Sequence, residues 1–177
     1  MAIVGKFGRL TVSTNSGGAY RNLPSELTSG KVIIEFDMTF KATSNGYNGF
    51  RVVASPGDVD LGDTIFEVLT RPTSTVTGNI EVCIYRDASG NVKYIDTGIF
   101  GDGSVRHVKL EIDLDNRLIS VWIDGVQYVT NEAYQGSYHT NNNKVVAMFI
   151  HAGGSANTEE IVLDIDNITV VNDGATV

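Results

Sequence analysis

The chain has 177 residues, 42% of them hydrophobic and only 19% charged, with 19 glycines and a net charge of -8. That length suits one domain with a sizeable core, so residues 1–177 are read as a single domain. With 13 lysines and arginines against 21 acids there is no basic stripe for phosphates or an anionic bilayer, which excludes nucleic acid and membrane surfaces as partners.

Alternation of apolar and polar residues recurs along the chain between Gly, Asn and Asp punctuation, and no stretch sustains a helical period. Strands are predicted over residues 8–13, 32–40, 49–54, 64–70, 79–86 and 91–97. In the second of these, Val32, Ile34, Phe36, Met38 and Phe40 are expected to face inward, and Ile33, Glu35, Asp37 and Thr39 outward, because residues two apart share a face. The same parity buries Phe50 and Val52, Phe66 and Val68, and Ile80, Val82 and Ile84. It leaves Arg51 and Val53, Glu67 and Leu69, and Glu81, Cys83 and Tyr85 together on the other side.

The stretch VRHVKLEIDLDNRLISVWIDGVQYV, residues 105–129, is the strongest local signal. Bent at Asp115-Asn116, it pairs Ile112 with Ile119, Leu110 with Val121 and Val108 with Ile123 on an apolar face; Glu111/Ser120, Lys109/Trp122 and His107/Asp124 form the other. Asp124-Gly125 then turns into a short strand over 126–129. Further strands are predicted over 144–152, with Val146, Met148 and Ile150 inward and Ala147, Phe149 and His151 outward, and over 160–171. Loops are expected at 42–48, 55–62, 71–78 and 131–143, the last a polar surface loop rich in Asn. The pattern predicts an all-β protein: an antiparallel β-sandwich jelly roll of two sheets.

The apolar runs are all strand-sized, and the N-terminus has neither the basic region nor the apolar segment of a signal peptide. The lone Cys83 excludes an internal disulfide and does not identify the redox compartment.

The order of GKVIIEFDMTF, GFRVVAS, TIFEVLT, the hairpin with its Asp-Gly turn, KVVAMFIHAG and the closing IDNITV resembles the concanavalin A-like jelly rolls over residues 31–171. That superfamily includes laminin G-type domains, family 16 glycoside hydrolases and carbohydrate-binding modules. The resemblance implies a concave sheet that carries a sugar, built from the strands at 49–54, 64–70, 79–86 and 144–152. Their outward residues then become candidate contacts: Arg51, Glu67, Glu81, Tyr85, Phe149 and His151, with the loop aromatics Tyr47 and Tyr138 walling the groove. A sugar needs a flat ring for its C–H face and planar polar groups for its hydroxyls, and these residue types supply both. The plainer alternative is that Tyr85 and Phe149 only cover the sheet and that His151 is a satisfied buried histidine.

Family 16 hydrolases carry Glu-x-Asp-x-Glu where this chain has Asp63, Ile65 and Glu67, so one of the two carboxyl groups that retaining hydrolysis requires is missing. The Arg, Gln, His and Tyr set of jelly-roll polysaccharide lyases is not evident either. Glu35 and Asp37 share a face, but on a strand expected near a sheet edge, where they read as solvated charges. Trp122 lies on the outer face of the hairpin beside Lys109; with that hairpin in the convex sheet it is expected to pack under a loop and not to stack on a sugar. Asp166, in IDNITV, matches the position that gives one carboxylate to a structural calcium in the resembled proteins; bonding of local amides at a strand bend accounts for it equally. His107, His139, His151 and Cys83 have no zinc-ligand spacing.

The reading is a non-catalytic carbohydrate-binding module for a polysaccharide or oligosaccharide, part of a larger multidomain exported enzyme, extracellular or at the cell surface, with calcium as its one expected ion. The acidic balance favours a neutral glycan. The alternatives are an adhesion or fibre domain binding glycan or protein and, last, a glycoside hydrolase or polysaccharide lyase.

Overall fold

The period-two patterning is realised as strands in the computed structural model, which describes residues 2–5, 8–12, 17–43, 46–55, 63–71, 78–139, 141–153 and 161–173. In chain order these are β1 (Ala2–Gly5), β2 (Gly8–Val12), β3 (Gly17–Leu27), β4 (Lys31–Lys41), β5 (Tyr47–Val53), β6 (Thr64–Thr70), β7 (Asn79–Ile84), β8 (Lys93–Phe100), β9 (Asp102–Asp113), β10 (Leu118–Ile123), β11 (Val126–Ala133), β12 (Val145–Gly153) and β13 (Ile161–Asn172). They form two sheets. One runs β1-β13-β4-β9-β10-β11 with β2 also on β13, and the other runs β3-β12-β5-β6-β7-β8. Neighbouring strands are antiparallel throughout.

The inner faces of the two sheets share one core. Val32, Ile34, Phe36, Met38 and Phe40 of β4 are all sealed from solvent, as are Phe50, Val52, Phe66, Val68, Ile80, Val82 and Ile84 of the opposite sheet. Phe36 and Phe50 stack across the sandwich with ring centroids 4.1 Å apart, so the two sheets meet through an aromatic pair at their centre. The hairpin has the expected register, with Ile112 on Ile119, Leu110 on Val121 and Val108 on Ile123. Its second bend places both Asp124 (φ 51°) and Gly125 (φ 79°) in the left-handed region, the backbone a two-residue hairpin turn between right-twisted strands requires.

Several elements differ from expectation. β3 is an eleven-residue strand that the sequence reading passed over, because Pro24 and a run of polar residues break its alternation. It lies at the sheet edge, bonded to β12 only, where a proline costs no ladder hydrogen bond on its open side. β1 was not anticipated either. β4, expected near an edge, is interior between β13 and β9, and Asp37 is not merely solvated: it accepts hydrogen bonds from Asn167 Nδ2 at 2.6 Å and bonds His107 Nδ1 at 2.8 Å. A bulge between Val145 and Ala147 shifts parity at the start of β12, so that Val145 joins the core cluster in place of Val146. β11 continues to Ala133, and the segment after it is no simple surface loop, since Tyr134 and Ser137 are buried. Residues 13 and 160, and most of the predicted loops 55–62 and 71–78, lie outside the described residues.

The Phe36–Phe50 stack sets a stability prediction: Phe36→Ala should cost about 3–5 kcal/mol, because it removes buried ring surface and leaves a void between the sheets. Urea denaturation checks this, and a loss under about 1 kcal/mol would mean that the core collapses around the gap.

Candidate functional site

Antiparallel register lines up one side chain from each strand of the six-stranded sheet into a row: Tyr20, Phe149, Arg51, Glu67, Cys83 and Tyr94, on β3, β12, β5, β6, β7 and β8 in that order. The next row holds Gly18, His151, Gly49, Leu69, Glu81 and Asp96. The face is planar, polar and aromatic in its middle, and its two end tyrosines are open to solvent, Tyr20 at 50% and Tyr94 at 43% exposure.

At the centre lies Glu67, whose side chain is fully buried. Its Oε2 accepts hydrogen bonds from Arg51 Nε at 3.1 Å and from the Tyr85 hydroxyl at 2.7 Å, and its Oε1 is bonded to His151 Nε2. Burial raises the carboxyl's pKa, but the attraction of His151 and Arg51 and the hydrogen bonds from His151 and Tyr85 outweigh it and hold Glu67 below its ordinary value. An ionised carboxylate only accepts, so His151 Nε2 carries the proton in that contact. Burial and the Glu67 charge push the Tyr85 hydroxyl far up, so it stays a donor.

Gly49, between His151 and Leu69 in its row, makes this cluster fit. A Cβ there would lie 2.6 Å from the Val68 carbonyl oxygen, 2.7 Å from Leu69 Cβ and 2.9 Å from Glu67 Oε1. The histidine reaches from β12 to Glu67 on β6 because β5, the one strand between them, carries no side chain at that point. Its ring is fixed further by Phe149, parallel at 5.5 Å, and by Tyr47 at 5.1 Å.

A second cluster repeats the motif toward the β8 edge. Arg71 Nε donates to Glu81 Oε2 at 2.6 Å, and its guanidinium carbon sits 3.6 Å from the Tyr94 ring centroid. In the first cluster, Arg51 is 5.7 Å from the Phe149 ring. Cys83, between the clusters, is buried, and burial followed by the charge of Glu67 raises its thiol to about 12, which makes it an inert part of the sheet. Two adjoining depressions open over the face. One of about 270 Å³ is lined by Gly17, Gly18, Tyr47, Arg51, Phe149, His151 and Ala152; one of about 210 Å³ is lined by Tyr47, Arg51, Glu67, Leu69, Arg71, Tyr85 and Tyr94.

The residues expected at a sugar site are thus brought together on one face, but with divided roles. Tyr47 and Arg51 border both depressions. Glu67, Tyr85 and His151 form the floor network, Phe149 lies over Gly18, and Glu81 holds Arg71. Tyr138 packs on Tyr85 at 5.7 Å and on His139 at 4.5 Å, against the outward cluster of Leu69, Cys83 and Tyr85, and borders neither depression. Sequence reading missed Tyr20, Gly49, Arg71 and Tyr94. Arg71 was recoverable by parity, being two residues beyond Leu69 on the same face; Tyr20 was not, since its strand went unrecognised.

For catalysis, the carboxylates are engaged: Glu67 by three donors, Glu81 by Arg71, and Asp63 by the Ser55 hydroxyl at 2.6 Å. Contrary to the sequence reading, an arginine, a tyrosine and a histidine do converge, although all three converge on Glu67. On the other sheet, Lys109 Nζ lies 5.2 Å from the Trp122 ring, which keeps the tryptophan on the opposite side of the sandwich. Asp166 accepts the backbone amide of Asn167 at 2.8 Å where β13 bulges, the bend-bonding role. Among the described residues no three His, Cys, Asp or Glu side chains are grouped to hold a metal, so this donor set does not by itself fit an ion. No helix among the described residues is long and apolar enough to cross a membrane.

No protein-family model matches the sequence, and none of the curated proteins does. Solved structures do match in fold. A sialidase aligns with 94% of this chain at 12% identity and a TM-score of 0.66, the chain spanning only 15% of that protein. The potassium-bound carbohydrate recognition domain of Emp46p aligns with 99% of this chain and 89% of its own, at 14% identity and a TM-score of 0.61. An alginate lyase in complex with an alginate trisaccharide aligns with 93% of this chain and 80% of its own, at 17% identity and a TM-score of 0.58.

Glu67→Gln should lower stability by about 3–5 kcal/mol at neutral pH, because it leaves Arg51 without its buried counter-charge and disrupts the contact with His151. Since the folded pKa of Glu67 lies below its ordinary value of 4.5, its contribution is complete above that value and is lost as pH falls through the depressed one. The gap between wild type and variant should therefore narrow on acidification. Denaturant titrations from neutral to acidic pH measure it, and a pH-independent gap would mean that Glu67 does not carry this charge.

Proposed function

The fold is that of the concanavalin A-like jelly rolls, and we propose that this one is a carbohydrate-binding module that holds an oligosaccharide or polysaccharide on the outer face of its six-stranded sheet without cleaving it. The observation that carries the reading is the row crossing all six strands, with exposed tyrosines at both ends, Arg51 beside Phe149 within it, and the Arg71 guanidinium laid against Tyr94 at one end. Rings offer apolar faces to sugar C–H groups, and guanidinium forks bond adjacent oxygens. The ion-paired floor keeps these groups pre-positioned, which lowers the entropy cost of binding. The engagement of Glu67 by three donors, of Glu81 by Arg71 and of Asp63 by Ser55 favours binding over hydrolysis. By resemblance, the module acts outside the cell as part of a larger glycan-degrading protein; a calcium at Asp166, the position matched by resemblance, would have to take most of its ligands from backbone carbonyls and water, since no group of three metal-ligating side chains gathers there among the described residues.

A second reading has one observation in its favour. Arg51, Tyr85 and His151 meet in a single network, and such groups could serve proton abstraction in a polysaccharide lyase.

Glycan-array binding with and without calcium, followed by assays for new reducing ends and for ultraviolet-absorbing unsaturated ends on every hit, separates these outcomes. The module binds and releases nothing; unsaturated products would establish the lyase, and silence across the array would favour an adhesion domain with a protein partner. A thermal midpoint unmoved by chelation would remove calcium. Tyr94→Ala should weaken glycan binding roughly tenfold, about 1.4 kcal/mol, by loss of a stacking ring. Calorimetry with the best array hit checks this, and undiminished affinity would move the site away from the β8 edge.

A further inference from the structure

The two arginines of the face form a repeated unit. Each is anchored through Nε alone to a carboxylate with little exposure, Arg51 to Glu67 and Arg71 to Glu81, and each has its guanidinium against an aromatic ring, Phe149 and Tyr94 respectively. In both, the terminal nitrogens have no hydrogen-bond partner among the described residues. The acceptors nearby are already used. Glu67 is fully buried, Glu81 has a side-chain exposure of only 6%, and Asp96 is bonded to Asn79 Nδ2 and to the amide of Gly98. The middle of the face therefore offers donors and almost no free acceptors.

A sugar hydroxyl both donates and accepts, so a donor-only surface satisfies half of it; a carboxylate or sulfate ester only accepts. Guanidinium groups bind such oxyanions through two parallel, charge-assisted bonds, about twice as strong as neutral ones. Building on the glycan-binding reading, we infer that the Arg51 and Arg71 units are paired subsites for the acidic groups of an anionic glycan lying across the strands. From β12, which carries Phe149, to β8, which carries Tyr94, is four strand spacings, roughly 19 Å, enough for several sugar residues bound within a chain. This departs from the neutral ligand suggested by the net charge of -8, because beyond about 8 Å the remaining charges are screened while the local donors are not.

The test is calorimetry at low salt with a short oligogalacturonate, its carboxyl-reduced neutral counterpart and a sulfated oligosaccharide of equal length. The expected result is that the oligogalacturonate binds at least about tenfold more tightly than its reduced form, that added salt erodes the difference, and that Arg51→Lys and Arg71→Lys each remove most of it, Arg51→Lys with a lowered thermal midpoint because it also replaces a donor to the buried Glu67, and Arg71→Lys with binding of the reduced form retained. Lysine keeps the charge and loses the fork, so the variants isolate the geometry. Preference for the sulfated ligand alone would keep the anion subsites and assign them to sulfate esters. Equal binding of the reduced and acidic forms would overturn the inference and leave the glycan-binding reading intact. If none of the three binds and the array is silent, both fall.

Discussion

The outer face of the six-stranded sheet depends on one ionised carboxylate buried beneath it. Removing Glu67 from water costs several kcal/mol, a cost that only close, well-aligned donors can offset. They come from three different places: Arg51 on β5, His151 on β12 and Tyr85 just past the end of β7. The charge therefore ties together strands distant in sequence, and any register slip in this half of the sheet would strand it. The glycine at position 49 is part of the same constraint, since a side chain there would occupy the space between His151 and Glu67.

This arrangement explains why the face is both polar and rigid. On most antiparallel sheets the side away from the core is solvated, with charged side chains free to move. Here the outward residues of β5, β6, β7 and β12 are almost as buried as those inside, because arginine, tyrosine, histidine and phenylalanine lie across one another. What is most open lies at the margins, Tyr20 on the β3 edge, Tyr94 on the β8 edge and the guanidinium of Arg71, while Arg51 is reached through the two depressions that it borders. A ligand would meet exposed planar groups held by a buried network, and the residues that contact it would differ from those that position the contacts.

The seven-stranded sheet has a different character. Its outer face carries separate polar pairs, Glu35 with Lys109 at 3.9 Å, Lys31 with Glu111 at 2.9 Å and the hydrogen-bonded Asp37 and His107 at 2.8 Å, none of them sealed from water. Exposed pairs of this kind contribute little to stability. The division of labour follows: one sheet supplies a conventional backing through the Phe36–Phe50 stack, and the other holds an organised polar surface.

Sequence alone determined the strands and the faces of most of them, because period-two alternation is a local property: a residue's side of the sheet follows from its neighbours two positions away. The core set of β4, the hairpin register and the collection of Arg51, Glu67, Glu81, Tyr85, Phe149 and His151 on one face were legible for that reason. Tertiary structure decided the rest. That β3 is a strand rests on its pairing with β12, which its own residues do not announce. That Glu67 is sealed, that His151 reaches it over Gly49, and that Arg71 lies on Tyr94 are matters of which strand lies beside which and how long side chains lean across the gap. Such contacts join positions up to 84 residues apart, as between Glu67 and His151, and no local pattern records them, because their energy comes from burial and counter-charge that exist only once both sheets have assembled.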